Sequence, residues 1–293
     1  MPPKARPGDR VAVLSPSFAA PGAFPAVHEQ AMRRLAEVTG LIPVEYPTTR
    51  RLDAHPRERA ADLDAAFADP QIRAVLATIG GDDQLTVVPH LNPEPVRADP
   101  KPFLGYSDNT NLLSWLWTHG VAGFYGGSTS APAPPSTPAT PPRYGRPCSP
   151  GSGCRSPTPG SPRTSAGPGT TRPPSVLDGG ILLLETSEEI IPAREAGWIL
   201  RALGERGLLA AVDGVLVARP PASHLTRRPS DAERAAHRAE QRDTAIDVIG
   251  RYNPQAVVCV GVPFGHTRPQ WILPYGGEVT LDGARREVWA DYR

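Results

Sequence analysis

From Ala131 to Ser175 the chain is built only of Ala, Pro, Ser, Thr, Arg, Tyr, Gly and Cys. Fourteen of the 37 prolines in this 293-residue sequence fall there, and Leu, Ile, Val, Met, Phe and Trp are absent. Fixing a backbone costs roughly 1–2 kcal/mol per residue, and the burial of apolar side chains is what offsets that cost. A stretch without such side chains has little with which to fold. The sequence therefore divides into two foldable blocks, 1–128 and 179–293, on either side of a low-complexity segment, 129–178.

The first block alternates strand and helix signals. Short apolar runs lie at Arg10–Leu14, Leu41–Tyr46 (crossed by Pro43), Ala74–Ile79 and Pro102–Tyr106. Between and after them, helical spacing predicts helices over Pro25–Thr39, Arg57–Phe67, Asp82–His90 and Asn109–His119. The second block repeats the pattern. Strand-like runs at Ile181–Leu184, Val212–Ala218 and Ala256–Val260 flank helices from about Ala193 to Arg206 and from Ser230 to about Tyr252. Ser230-Asp-Ala-Glu233 is a capping-box signature, and Asp282-Gly283 marks a hairpin between two terminal runs. Such alternation predicts an α/β protein, with a parallel-sheet N-terminal domain and a smaller α/β C-terminal domain.

Charge and composition exclude several functions. With 31 Lys+Arg against 30 Asp+Glu the net charge is +1, so no basic excess marks a nucleic-acid or acidic-membrane partner. No apolar run approaches the ~18 residues of a membrane span, and residues 1–10 lack the apolar core of a signal peptide. Three cysteines make no disulfide framework, and Cys259 sits in an apolar run as a small hydrophobe. A cytoplasmic protein is expected. No metal-ligand spacing, P-loop or dinucleotide fingerprint is present, so no metal or other cofactor is expected.

Candidate chemistry gathers at strand ends, where open α/β sheets bind ligands. Ser107 lies at a strand-to-helix turn, which exposes a hydroxyl and aims unpaired amides at it. It reads either as a nucleophile or, with Asp108, as a helix cap; Asn109 stands where the second glycine of G-x-S-x-G would be. His266, beyond the strand ending at Gly261, reads as a base or as a structural histidine, and the other histidines as surface or helix-end residues. Glu185 ends a strand and reads as an orienting acid or, with Glu188 and Glu189, as part of a solvated acidic loop. Gly80-Gly81 reads as a close backbone approach to substrate or as a tight turn. The order Ser…Glu…His is the minimum set for nucleophile, orienting acid and base.

Five segments carry a resemblance: Pro7-Gly-Asp9 with Ser15-Pro16, Ile79–Asp83, Leu104–Thr110, Ile181–Glu189 and Gly261–His266. Together they resemble the serine-peptidase family of the cytoplasmic LD-carboxypeptidases of murein recycling and the microcin C self-immunity peptidases. The Gly-Gly-Asp-Asp and Leu-Glu-Thr-Ser-Glu-Glu segments are closer to the microcin-immunity branch. The resemblance implies Ser107 as nucleophile, His266 as base and Glu185 as its orienting residue. It also implies an oxyanion hole from the amides of Gly81 and Asp108, an active site at the junction of two domains, and a homodimer. The implied substrate is a small peptide or aminoacyl-nucleotide. The alternatives are a murein tetrapeptide carboxypeptidase releasing terminal D-Ala, and a degenerate product without catalysis.

Residues 131–175 match none of the folded segment that the family carries between Tyr125-Gly126-Gly127 and the Leu-Glu strand. A run of Pro, Arg, Ser, Gly and Ala is what out-of-frame translation of a GC-rich gene produces, so a frameshift with deletion, or a sequencing error, is expected there. Low stability and weak activity would follow if the sequence is as printed. Resequencing the locus checks this: a shifted or missing base is the expected result, and an uninterrupted frame with the same codons would overturn it.

Overall fold

Most of the longer strands of this chain are the aliphatic runs of its sequence. The computed structural model describes residues 1–127, 144–147, 154–155, 177–223 and 229–292. In chain order the elements begin with β1 (Arg10–Leu14), α1 (Ala20–Ala23), α2 (Pro25–Thr39), β2 (Ile42–Glu45), α3 (Pro56–Ala68), β3 (Ile72–Ala77), α4 (Pro93–Ala98), β4 (Phe103–Gly105), α5 (Thr110–Thr118) and β5 (Gly123–Tyr125). They continue with β6 (Tyr144–Pro147), β7 (Cys154–Arg155), β8 (Ile181–Leu184), α6 (Ala193–Glu205), α7 (Leu208–Ala211), β9 (Gly214–Ala218), α8 (Asp231–Tyr252), β10 (Val257–Val262), β11 (Leu273–Tyr275), β12 (Val279–Asp282) and β13 (Glu287–Ala290). Two compact units result: Met1–Pro142 with Trp271–Glu278 and Asp291–Arg293, and Arg143–Gln270 with Val279–Ala290.

The first unit is a six-stranded sheet in the order β11-β5-β4-β3-β1-β2, parallel throughout except for antiparallel β11. The succession β2-β1-β3-β4-β5 is a doubly wound order whose direction reverses between β1 and β3. Right-handed crossovers then place α2 on one face and α3 and α5 on the other. On the α2 face Leu35 packs with Val11, Ala74 and Leu76 of the sheet. Pro43 is tolerated because β2 is an edge strand, where a missing N–H leaves no ladder bond unmade.

The first unit departs from the sequence expectation around Asp82–His90, in the Pro-broken stretch after it, which is not all loop but holds α4, and at His28. Asp82–His90 is not one helix but two short 3₁₀ turns, Gln84–Thr86 and Val88–His90, because Pro89 has no N–H to continue an α-helical ladder. His28, read as a surface residue, is 1% exposed, with Nε2 3.1 Å from Glu45 Oε1.

The second unit is the smaller. Its β7-β10-β9-β8 sheet is parallel except for β7, and β12-β13-β6 is antiparallel. Leu200 of α6 and Ala245, Val248 and Ile249 of α8 bury Val215, Val258 and Val260 of the sheet. Cys259 is fully buried among the strand residues. Strand β10 does not run out at Gly261: it continues to Val262 through a register shift, which the φ of 76° at Gly261 makes possible. The capping box forms as read, with Glu233 N donating to Ser230 Oγ and Ser230 N donating to Glu233 Oε2 at 2.8 Å. The hairpin at Asp282-Gly283 joins β12 to β13.

Most of the 129–178 segment lies outside the described residues. Within it, β6 and β7 each add to a sheet edge. Backbone pairing of this kind needs no apolar side chain, so it is open even to an aliphatic-free sequence. Strand β11 lies within the 179–293 block, yet it pairs with β5 of the first unit. Among the described residues no helix is long and apolar enough to cross a membrane.

The cap on α8 yields a stability prediction. Ser230→Ala should lower stability by about 1 kcal/mol, read as a reduced denaturant midpoint of the far-UV circular dichroism; an unchanged midpoint would contradict the cap's role.

Candidate active site

The reversal of winding places the loops after β1 and β3 beside each other at the carboxyl edge of the sheet, and the β4–α5 turn next to them. Ser107 begins that turn. It is half-buried and has φ 62°, a left-handed conformation that among described non-glycine residues only Arg286 shares. A residue with a Cβ pays about 1–2 kcal/mol to sit there, and single strained residues of this kind are found where a strand turns sharply into a helix to expose a side chain. Gly80 lies against it: a Cβ at Gly80 would stand 2.8 Å from Ser107 Cβ, 3.0 Å from Oγ and 3.3 Å from the Asp108 amide nitrogen. The absence of a side chain at Gly80 is therefore what leaves the hydroxyl its space. A Cβ at Gly81 would likewise overlap Ser17 Oγ and stand 2.9 Å from the Phe18 nitrogen.

Buried amides fix this turn. Gln84, 0% exposed, donates through Nε2 to Asn109 Oδ1 at 2.8 Å and accepts from Leu112 N at 2.9 Å. Asn109 Nδ2 donates to the carbonyls of Ile79 (3.0 Å) and Tyr106 (3.1 Å), tying the end of β3 to the turn after β4. The Asp108 carboxylate accepts from Ser17 Oγ, from Gln84 N at 2.9 Å and from Asn111 Nδ2 at 2.9 Å. Neither Ser107 nor Asp108 caps α5; Asn109 holds that position and makes no side-chain cap bond.

In the second unit, Glu185 follows β8 directly and His266 lies four residues beyond β10. Glu185 Oε2 accepts from the His266 backbone N–H at 2.8 Å and lies 3.1 Å from its Nδ1. Gly265, at φ 69°, makes this possible, since a Cβ there would fall on the Glu185 carboxylate. The loop is held by Gln270 Nε2 donating to the Gly265 carbonyl at 2.6 Å and by Arg219 Nε donating to Thr267 Oγ1 at 2.7 Å. Glu188 is more than a solvated acid: its Oε2 lies 3.2 Å from His266 Nε2, although the side chain is 70% exposed. Burial works against charging the imidazole, but the Glu185 hydrogen bond and the charges of Glu185 and Glu188 outweigh it and raise its pKa above 6.5.

Of the residues singled out by the sequence, Ser107, Gly81 and Asp108 belong to the first unit, and Glu185 and His266 to the second. Ser17, Gln84 and Asn111 were not anticipated. Their partners lie 24 or more residues away or, for Asn111, inside the turn itself, and nothing local in the sequence marks them.

Comparison with known proteins agrees with this architecture. The LD-carboxypeptidase N-terminal domain matches residues 11–126, and the LD-carboxypeptidase C-terminal domain matches residues 163–281. An inferred carboxypeptidase of Vibrio cholerae is 35% identical over 124 residues, 41% of this chain and 37% of that protein. The microcin C7 self-immunity protein MccF of Escherichia coli is 37% identical over 71 residues, 24% of this chain and 21% of its own length. Each alignment thus spans well under half of the relative. The structure of MccF in complex with glutamyl sulfamoyl guanosine superposes with a TM-score of 0.75 at 18% identity, covering 100% of this chain and 98% of that one. An MccF-like protein from Streptococcus pneumoniae in complex with AMP gives 0.74 at 23% identity, covering 97% and 99%. At such identities the likeness is one of fold. The two domain matches, in order and over most of the sequence, identify this chain as a member of the LD-carboxypeptidase family.

Proposed function

We propose that this chain is a serine hydrolase of the microcin-immunity type, cleaving an amide bond of a small peptide or aminoacyl-nucleotide. Ser107 Oγ attacks the carbonyl carbon and His266 Nε2 takes the hydroxyl proton. The amides of Gly81 and Asp108 donate to the oxyanion. His266 then returns the proton to the leaving nitrogen, the C–N bond breaks, and water releases the acyl group from Ser107 by the same route in reverse. Glu185 holds the ring by Nδ1, so that Nε2 is the basic nitrogen, and stabilises the imidazolium.

The observation that carries this reading is the left-handed Ser107 on a strand–turn–helix elbow, with Gly80 clearing the space beside its hydroxyl. The Glu185–His266 pair supplies the partner chemistry. The aminoacyl-nucleotide class is supported by the glutamyl sulfamoyl guanosine and AMP bound to MccF and to the MccF-like protein. The family and the Vibrio relative support a second reading, release of a terminal residue from a murein peptide. Assay of both substrate classes separates the two. By the same resemblance we propose that the chain acts as a homodimer.

Two outcomes test the assignment. Ser107→Ala should abolish hydrolysis and fluorophosphonate labelling, a loss on the order of 10⁴-fold or more, with the circular dichroism spectrum retained. Undiminished turnover would refute the nucleophile. Because His266 must be neutral to accept a proton, activity should fall as pH drops through its raised pKa, above 6.5. Removing one nearby negative charge lowers that pKa, so Glu188→Gln should move the acid limb of kcat/KM to lower pH; an unmoved limb would exclude His266 as the base or Glu188 as its neighbour.

A further inference from the structure

Arg59 lies on α3 with only 6% of its surface exposed. Its guanidinium forms a fork with Asp83, Nη1 to Oδ1 at 2.9 Å and Nη2 to Oδ2 at 2.7 Å. Nη1 also donates to the carbonyls of Ser17 at 3.1 Å and Pro16 at 3.3 Å. Its Nε is buried without a hydrogen-bond partner. A buried cation with an orphaned donor is a poor way to stabilise a fold, since an apolar side chain of similar size would avoid the desolvation. Arginine offers instead a rigid, permanently charged fork that can tie several points in fixed geometry.

The points it ties lie on the two loops beside Ser107. Pro16 and Ser17 follow β1, and Asp83 ends the Gly80–Asp83 segment after β3. Ser17 Oγ passes the contact on to the Asp108 carboxylate, and the Phe18 amide donates to the Gly80 carbonyl at 3.3 Å. Resting on the reading above, in which the amides of Gly81 and Asp108 face the oxyanion, we infer that Arg59 is the positioning residue for both donors. It acts on Gly81 through Asp83 and on Asp108 through Ser17. An oxyanion hole works because its donors are aimed before charge develops. Loss of the clamp therefore falls on the transition state and spares ground-state binding.

The test uses the full-length chain and a fluorophosphonate, whose tetrahedral adduct on a serine places an oxygen where the oxyanion forms. Arg59→Lys and Asp83→Asn should each lower the limiting labelling rate by ~10²–10³-fold, as loss of an oxyanion donor does, with the probe's reversible affinity within about twofold. The double variant should lose little more than either single one, because the two act as a unit. Should Arg59→Lys fail to fold, Asp83→Asn decides alone, since the Asp83 side chain is half exposed. A lowered melting temperature with unchanged labelling rates would mean a purely structural brace and would overturn the inference. No labelling of the unsubstituted chain at Ser107 would overturn the underlying hydrolase reading and this inference with it.

Discussion

Two buried side-chain amides, Gln84 and Asn109, hold the turn at Ser107 in a conformation that its own backbone disfavours. The left-handed φ costs about 1–2 kcal/mol. Against it stand four hydrogen bonds made by these two residues, to Ile79, Tyr106, Leu112 and each other, each worth about 0.5–1.5 kcal/mol net. The network is large enough to impose the turn. It also couples the end of β3 to the start of α5, so the glycine loop and the serine share one rigid setting. Gly105 belongs to the same construction: a Cβ there would meet Asn109 Cβ at 2.9 Å. The asparagine that breaks the G-x-S-x-G pattern is thus the residue that locks the elbow.

The second unit uses the same device in a different form. A glycine at positive φ leaves the space that a carboxylate occupies, and that carboxylate accepts two hydrogen bonds from one histidine. Ser107, Glu185 and His266 each stand just beyond the carboxyl end of a parallel strand, so a paired ladder carries each one. Side chains mounted on such rigid supports keep their orientation without a ligand to order them.

Much of this was legible in the sequence. Alternating apolar runs and helical stripes placed the longer elements, and Ser230-Asp-Ala-Glu233 marked the start of α8, whereas the short α1, α4, α7, β5 and β11 hold too few residues to show a period. Contacts made over distance were illegible. Ser17 and Asp108 lie 91 residues apart, and no local pattern joins them. Arg59 left a faint trace, an arginine on the same stripe as Leu63 and Ala66, which are buried; a long charged side chain at that position ordinarily reaches solvent. The 3₁₀ turns after Asp82 escaped notice because helical apolar spacing says nothing about a missing amide at Pro89. The match to the C-terminal family domain begins at residue 163, within the stretch that composition set apart as unable to fold.

Strand β11 ties the two units by more than a single linker. Residues 271–278 leave the second unit, lie along the free edge of β5, and return for the β12–β13 hairpin before residues 291–293 go back once more. A gene cut after the first block would strip β5 of its antiparallel neighbour and leave its N–H and C=O groups open to pairing with another copy. The halves are therefore interleaved along the polypeptide, and neither can be dissected out by one truncation.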